Sequence, residues 1–217
     1  MPNIPSTDAF QKVLAANSEW AAKVASNDST FFANSAKGQA PKVLWIGCAD
    51  SRVPETTILG CQPGDVFTHR NIANILTPSD LSSLAVIEYA VAHIKVEHAV
   101  VCGHTSCGGV AASLANSKLG ILDPWLQPIR ALRMKHSDEL DALQGDEKTR
   151  RLSELNVLGS LQALKQNATV IEAVKSRGLK LHGLIYDLAS GKLETVSETE
   201  TEAEAKKRIE AFGLSHA

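Results

Sequence analysis

The chain has 217 residues, 44% hydrophobic and 21% charged, with a formal net charge of −2. That length suffices for one domain with a sizeable core, and the near-neutral balance gives no bulk attraction for nucleic acid or an anionic membrane surface. No apolar run reaches the length of a membrane span. Residues 1–8 lack both a signal-peptide core and the Arg-rich bias of a transit peptide, so the expected location is cytoplasmic.

From the N-terminus, Phe10, Val13, Leu14, Ala21 and Val24 recur at helical spacing over 6–25. This helix and the Phe31-Phe32 pair form an arm of about 1–35, expected to pack on a partner subunit or on its own domain. Val43 to Ile46 is a continuous apolar run of strand length that breaks at Gly47 and delivers Cys48, Asp50 and Arg52. Pro54-Glu55-Thr56 opens a short helix, and Val66 to Arg70 reads as a second strand after the Pro63-Gly64 turn. Ser79 and Asp80 are candidate caps for a helix through Ile94, in which His93 is a helix-end or surface residue, as is His98 beyond it. Ala99 to Cys102 is a third strand, ending in Gly103-His104-Thr105-Ser106-Cys107-Gly108-Gly109, with a helix starting near Cys107. Asp123-Pro124 reads as a cap with proline at the first helical position. Residues 146–175 are helical in more than one segment, closed by Gly178. Leu181 to Tyr186 is a fourth strand, Gly191 turns it into a partner over 193–196, and a charged helix covers 198–212.

Strands alternate with helices, and most strands are apolar on both faces. The expected fold is α/β: a predominantly parallel sheet covered by helices on both faces, in one domain over 1–217. In such folds the functional site lies beyond the carboxyl ends of the strands, where the Cys48 and His104 clusters both fall.

Two thiols and an imidazole at strand ends suit metal ligation better than a disulfide in a chain that needs no staple. Cys48, His104 and Cys107 supply three zinc ligands, leaving a fourth position for water, as in catalytic sites. Asp50 has two possible partners: the metal, which would close the site, or Arg52 in a bidentate fork. Gly108 and Gly109 permit close approach, and their N–H groups could hold an oxyanion. Cys102 reads as a small buried hydrophobe and Cys61 as a loop thiol. His69 and His182 read as strand histidines, and His136 and His216 as surface or helix-end residues. Trp125 reads as packing.

The sequence Cys48-Ala-Asp50-Ser-Arg52, followed by His104-x-x-Cys107-Gly108-Gly109, resembles the β-class carbonic anhydrases. The agreement extends through Arg70-Asn71-Ile72-Ala73-Asn74, Glu88-Tyr89-Ala90-Val91 and His182-Gly183-x-x-Tyr186-Asp187. The resemblance implies a lyase with one Zn2+ per chain that hydrates CO2 to bicarbonate and a proton by zinc-hydroxide attack, with Asp50 and Arg52 as the catalytic dyad. It assigns Gln39, Phe67, Ile72 and Tyr89 to a substrate pocket, with Gly108 and Gly109 beside it. It implies a homodimer or higher homo-oligomer, a tetramer among the options, with the pocket at a subunit interface. Trp45, Arg70 and Tyr186 match a non-catalytic bicarbonate site that favours the closed state in some members. Two rivals stand beside this reading: a zinc hydrolase of another small heterocumulene such as CS2, and a closed four-ligand structural zinc module.

Overall fold

The computed structural model describes residues 8–197 and 200–214, so the predicted helix start at Ser6 and the surface reading of His216 lie outside the described residues. The chain divides into two compact units, Met1–Gln39 and Ala40–Ala217.

The first unit holds helices α1 (Ala9–Asn27) and α2 (Phe31–Ser35). The Asp8 carboxylate caps α1 by accepting the Phe10 N–H at 2.9 Å, the usual way of satisfying a helix's first orphan donors. The ring of Phe32 meets those of Trp20 and Phe31 edge-on, at 5.9 and 5.2 Å. No residue of α1 is buried, and Phe10, Val13 and Leu14 lie open.

The second unit carries β1 (Val43–Cys48), α3 (Glu55–Ile58), β2 (Val66–Asn71), α4 (Leu81–Glu88), β3 (His98–His104) and α5 (Gly108–Leu114). Then follow α6 (Leu122–Trp125), α7 (Gln127–Lys135), α8 (Ser137–Asp141), α9 (Gly145–Gln166), α10 (Ala168–Arg177), β4 (Lys180–Asp187), β5 (Lys192–Val196) and α11 (Glu202–Phe212). The sheet order is β2-β1-β3-β4-β5. The first three pairings are parallel and the last antiparallel. A strand flanked on both sides and covered on both faces must be apolar throughout, and β1 is buried from Leu44 to Cys48.

The two faces are covered unequally. Leu44, Ile46, Ala99 and Val101 face a large core completed by residues of α9, α10 and the segment before β3. Trp45, Val100 and Cys102 face the other way, against Ile58 and Leu59 at the end of α3 and Leu184 and Tyr186 of β4. A third cluster lies at the carboxyl end of the sheet, where Cys48, Ala73 and Cys107 pack with Leu126, Ile129 and Leu152. Each fully buried Leu or Ile stabilises the fold by about 1.5–3 kcal/mol.

Several local expectations need correction. Asp80 caps α4, accepting from the Ser82 and Ser83 N–H groups at 3.1 and 3.3 Å. The helix does not run unbroken to Ile94, however. Tyr89–Ile94 widens into a π-helical turn that stops at Lys95 in the left-handed region (φ 63°). Asp123 is not an N-cap; it lies inside α6, where its carboxylate accepts the Leu119 N–H at 2.9 Å and pairs with Arg130 at 3.0 Å. The short α8 was not expected. His98 is not a helix-end residue: it opens β3 half-buried, and its Nδ1 lies 2.9 Å from Nε2 of His182.

Candidate metal centre

β1 and β3 are adjacent and parallel, with Gly47 opposite Cys102, so both chains leave the sheet at the same edge. β1 delivers Cys48 there and β3 delivers His104. Cys107, three residues on, is the residue preceding α5. The ligand atoms of Cys48, His104 and Cys107 all lie within 4.8 Å of one another, and all three residues are buried.

The imidazole is oriented for ligation. His104 Nδ1 lies 2.9 Å from the Thr105 carbonyl. A carbonyl can only accept, so Nδ1 carries the proton and Nε2 presents its lone pair. That Nε2 is buried without a hydrogen-bond partner, although buried polar atoms are rarely left so. The loop carrying it is tied to β4 by the Thr105 N–H on the Tyr186 carbonyl at 3.0 Å and by the Leu188 N–H on the Thr105 hydroxyl at 2.9 Å.

Of the two sulfurs, Cys48 is favoured as the thiolate and Cys107 as the thiol beside it. Cys48 is drawn down to about 4, first by the Cys107 thiol and then by His104 and the backbone N–H groups of Asp50 and Ala73, against the opposing effect of burial. Cys107 is pushed up by that neighbouring thiolate and by burial, while the N–H groups of Val110 and Gly109 pull the other way. Burial alone would lower His104, but the negative Cys48 sulfur outweighs it and raises the imidazole. A cluster of two such sulfurs and one lone-pair nitrogen fits a thiophilic divalent cation.

Asp50 is held by Arg52. Nε and Nη2 of Arg52 reach the two carboxylate oxygens at 3.0 and 2.7 Å, and the Arg52 N–H adds a third bond at 2.9 Å. This fork keeps the Asp50 carboxyl well below the usual carboxylate range. Arg52 also donates to the Ser106 carbonyl at 3.2 Å, so one side chain joins the loops after β1 and β3. Asp50 Oδ2 stands 3.8 Å from His104 Nε2.

The other predicted residues fall as follows. The Phe67 and Tyr89 rings pack at 5.6 Å, and Ile72 and Tyr89 remain 43% and 49% exposed. Gln39 belongs to the first unit. A Cβ on Gly108 would meet nothing, whereas one on Gly109 would stand 2.9 Å from the Ala73 Cβ. The Gly109 amide is among the groups that lower the Cys107 thiol against its raised value. Arg70 donates to the Cys48 carbonyl at 2.8 Å and the Asp50 carbonyl at 2.6 Å, with the Glu55 carboxylate 3.8 Å away. Trp45 is buried beside Tyr186. His69 is also buried, its Nε2 3.2 Å from the Asn71 side-chain amide, and burial lowers it.

Sequence reasoning missed the supports of the turn after β2. Trp125 Nε1 donates to the Ile72 carbonyl at 2.9 Å, Asn156 Nδ2 to Ala73 at 2.7 Å and Ser160 Oγ to Asn74 at 3.0 Å. The available signal was two polar residues, four apart, on the apolar stripe of α9.

The sequence model of the family described as "Carbonic anhydrase" matches residues 43–193. The chain belongs to the carbonic anhydrase family. A carbonic anhydrase of Emericella nidulans is 46% identical over 188 residues, covering 86% of this chain and 82% of that protein. The β-carbonic anhydrase CafA of Aspergillus fumigatus superposes with a TM-score of 0.94 at 56% identity, covering 96% of this chain and all of that one (100%). A tetrameric β-carbonic anhydrase of Sordaria macrospora superposes with a TM-score of 0.86 at 48% identity, over 88% and 98% of the two chains. The enzyme is thus of the β class, and its Cys-His-Cys trio is the metal-binding site expected of that class.

Proposed function

We propose that this carbonic anhydrase binds one zinc ion on Cys48, His104 and Cys107 and reversibly converts CO2 and water to bicarbonate and a proton. The observation that carries the reading is a sulfur–nitrogen–sulfur cluster beside a carboxylate whose two oxygens are both engaged by one guanidinium. Three protein ligands correspond to catalytic zinc, whereas four correspond to a structural site. Bound zinc supplies a Lewis acid that lowers the pKa of a water toward about 7. Asp50, kept ionised by Arg52, can only accept hydrogen bonds and so fixes the orientation of a donor beside His104 Nε2. Arg52 holds Asp50 off the metal and, through the Ser106 carbonyl, holds the two loops at fixed separation. Phe67, Ile72 and Tyr89 offer an apolar wall suited to an uncharged linear gas.

The exposed Ile72 and Tyr89, with the open apolar residues of α1, suit burial against a second copy of the chain. We therefore read the enzyme as a homodimer or a larger homo-oligomer, a reading the tetrameric relative supports. Its four cysteines are free of disulfides, as suits the reducing cytoplasm. Stopped-flow indicator assays should detect CO2 hydration by protein holding about one zinc per chain. Fully metallated protein that is silent from pH 6 to pH 9 would overturn the reading.

Arg70 favours a second reading, in which the same site is regulated. Its guanidinium supports the Cys48 and Asp50 carbonyls. A bicarbonate ion bound between Arg70, the Trp45 indole and the Tyr186 hydroxyl would compete for those donors and free Asp50 to close on the metal. Glu55 opposes such an anion, because its Oε2 is buried without a hydrogen-bond partner near Arg70. Trp45→Phe should then weaken bicarbonate inhibition several-fold; equal inhibition in both proteins would remove the second site.

A further inference from the structure

The turn after β2 is strained and fully clamped. Ala73 and Asn74 are consecutive non-glycine residues at positive φ, 61° and 47°, a region that L-residues avoid and that persists only where the surroundings over-determine it. Every carbonyl from Asn71 to Ile75 is occupied. The Ala49 N–H takes that of Asn71 at 2.8 Å. Trp125, Asn156 and Ser160 take the next three, and Asn71 Nδ2 takes that of Ile75 at 2.8 Å. Ser160 also accepts the Leu76 N–H at 3.2 Å. Asn156 and Ser160 are each only 3% exposed, so two polar side chains of α9 are spent on this turn inside the core.

What the turn delivers is backbone packed against the metal ligands. Ala73 lies with Cys48 and Cys107 in one buried cluster, and a Cβ on Gly109, beside Cys107 in sequence, would stand 2.9 Å from the Ala73 Cβ. The Ala73 amide is also among the groups that lower the Cys48 thiol. Ala73 comes from neither ligand loop, so its place beside both sulfurs depends on the strained turn. Groups packed around a ligand fix its position and tune the metal.

We propose that Asn156 is a positioning residue for the metal centre, holding the Ala73–Asn74 turn so that its backbone stays packed against Cys48 and Cys107. Ser160 supports it one residue further along the turn. The inference rests on the Cys-His-Cys metal reading but not on CO2 hydration.

Cobalt(II)-substituted protein tests it by two readouts that need no turnover: affinity by chelator competition and the sulfur-to-cobalt charge-transfer band. Asn156→Ala should weaken metal binding about tenfold and shift the band, since a sulfur whose packing has moved overlaps the metal differently. Ala73→Gly in that background should recover most of the loss, because glycine takes φ near 61° without the clamp. Leu164→Ala, which empties another buried α9 site away from the turn, should lower the melting temperature and leave both readouts unmoved. If Asn156→Ala does not fold, Ser160→Ala carries the same expectation. Unchanged affinity and band in the folded variants would overturn the proposal. Wild-type protein that takes up no cobalt would instead overturn the metal reading beneath it.

Discussion

β3 begins on His98 and ends on His104, and the two imidazoles have opposite fates in one strand. His98 Nδ1 is satisfied by His182 Nε2 across the β3–β4 pair at 2.9 Å, with the rings 5.2 Å apart. His104 Nδ1 is satisfied by a neighbouring carbonyl, and its Nε2 is left buried without a hydrogen-bond partner between two cysteines. A histidine becomes a ligand when one nitrogen is pinned and the other is left lone-pair-out among anionic donors. It becomes a structural residue when a second ring closes the valence. Strand polarity decides which occurs, since the loops able to bring cysteines together leave from the carboxyl edge.

The contrast breaks most sharply at Cys107. Cys107→Ser should leave no bound metal after dialysis, with CO2 hydration at the uncatalysed background. His98→Asn should keep about one metal per chain and activity within about twofold, as expected for a site away from the chemistry. Metal analysis and stopped flow on both proteins decide it, and retention of metal by Cys107→Ser would sink the trio. Asp50→Ala ranks next. The metal should stay, and activity should fall by about 100-fold, the scale expected when a group that orients the reacting donor is lost. Arg52 is too open for the loss of its partner to strand a buried charge, so the fold should survive and the defect should lie in turnover. Near-normal turnover would take Asp50 out of the mechanism.

The difference between the two histidines was only half legible in the sequence. The apolar run Val43 to Ile46, broken by Gly47, announces a buried strand ending in chemistry, and the His104-to-Cys107 spacing announces a second donor pair. Those signals are local, so they survive without coordinates. The His98–His182 pair depends on the register of β4 against β3, which no local pattern specifies. The clamp on the Ala73 turn depends on α9 crossing that turn, with partners 83 and 86 residues away in sequence. The π-helical turn at Tyr89–Ile94 carries no Gly or Pro to mark it, and its residues repeat apolar positions as an α-helix would. The Asp123-Pro124 signal misled because Asp123 caps the Leu119–Asp123 turn by its side chain while the helix has already begun.

Thiol chemistry sharpens the comparison between the carboxyl edge and the middle of the same strands. Cys48 is drawn down to about 4 by Cys107 and by the amides around it, whereas burial pushes Cys102 up to about 12. Metal-free protein at pH 6 should therefore be alkylated by iodoacetamide at Cys48 at least about 100-fold faster than at Cys102, since only a thiolate reacts. Loading the metal should silence Cys48 and leave Cys102 as slow as before. Peptide mapping by mass spectrometry reads both, and alkylation of Cys48 at the same rate with and without chelator would separate that sulfur from the metal.

The smallest effect belongs to the other end of β3. Burial, then the charges of His98 and Lys180, lowers His182 below the usual imidazole value. A base whose folded value is lowered binds its proton more readily in the unfolded chain, so stability rises with pH across that window. The contribution of a neutral His182 is fully present above about pH 6.5 and is lost as pH falls through the lowered folded value. His98 faces it directly, Lys180 lies on its own strand, and the Lys42–Glu97 ion pair stands at the start of the neighbouring strands. Melting the wild type at pH 7.5 and 5.5 should therefore show a larger drop than melting His182→Gln, by less than about 4 °C for a chain of this size. Metal content should match between the two proteins at each pH, because His182 lies opposite Val100, three residues back along the sheet from the level of Gly103 and away from the ligand loops. An equal drop in both proteins would place the acid sensitivity elsewhere, and a variant that lost metal would erase the distinction between the two histidines of β3.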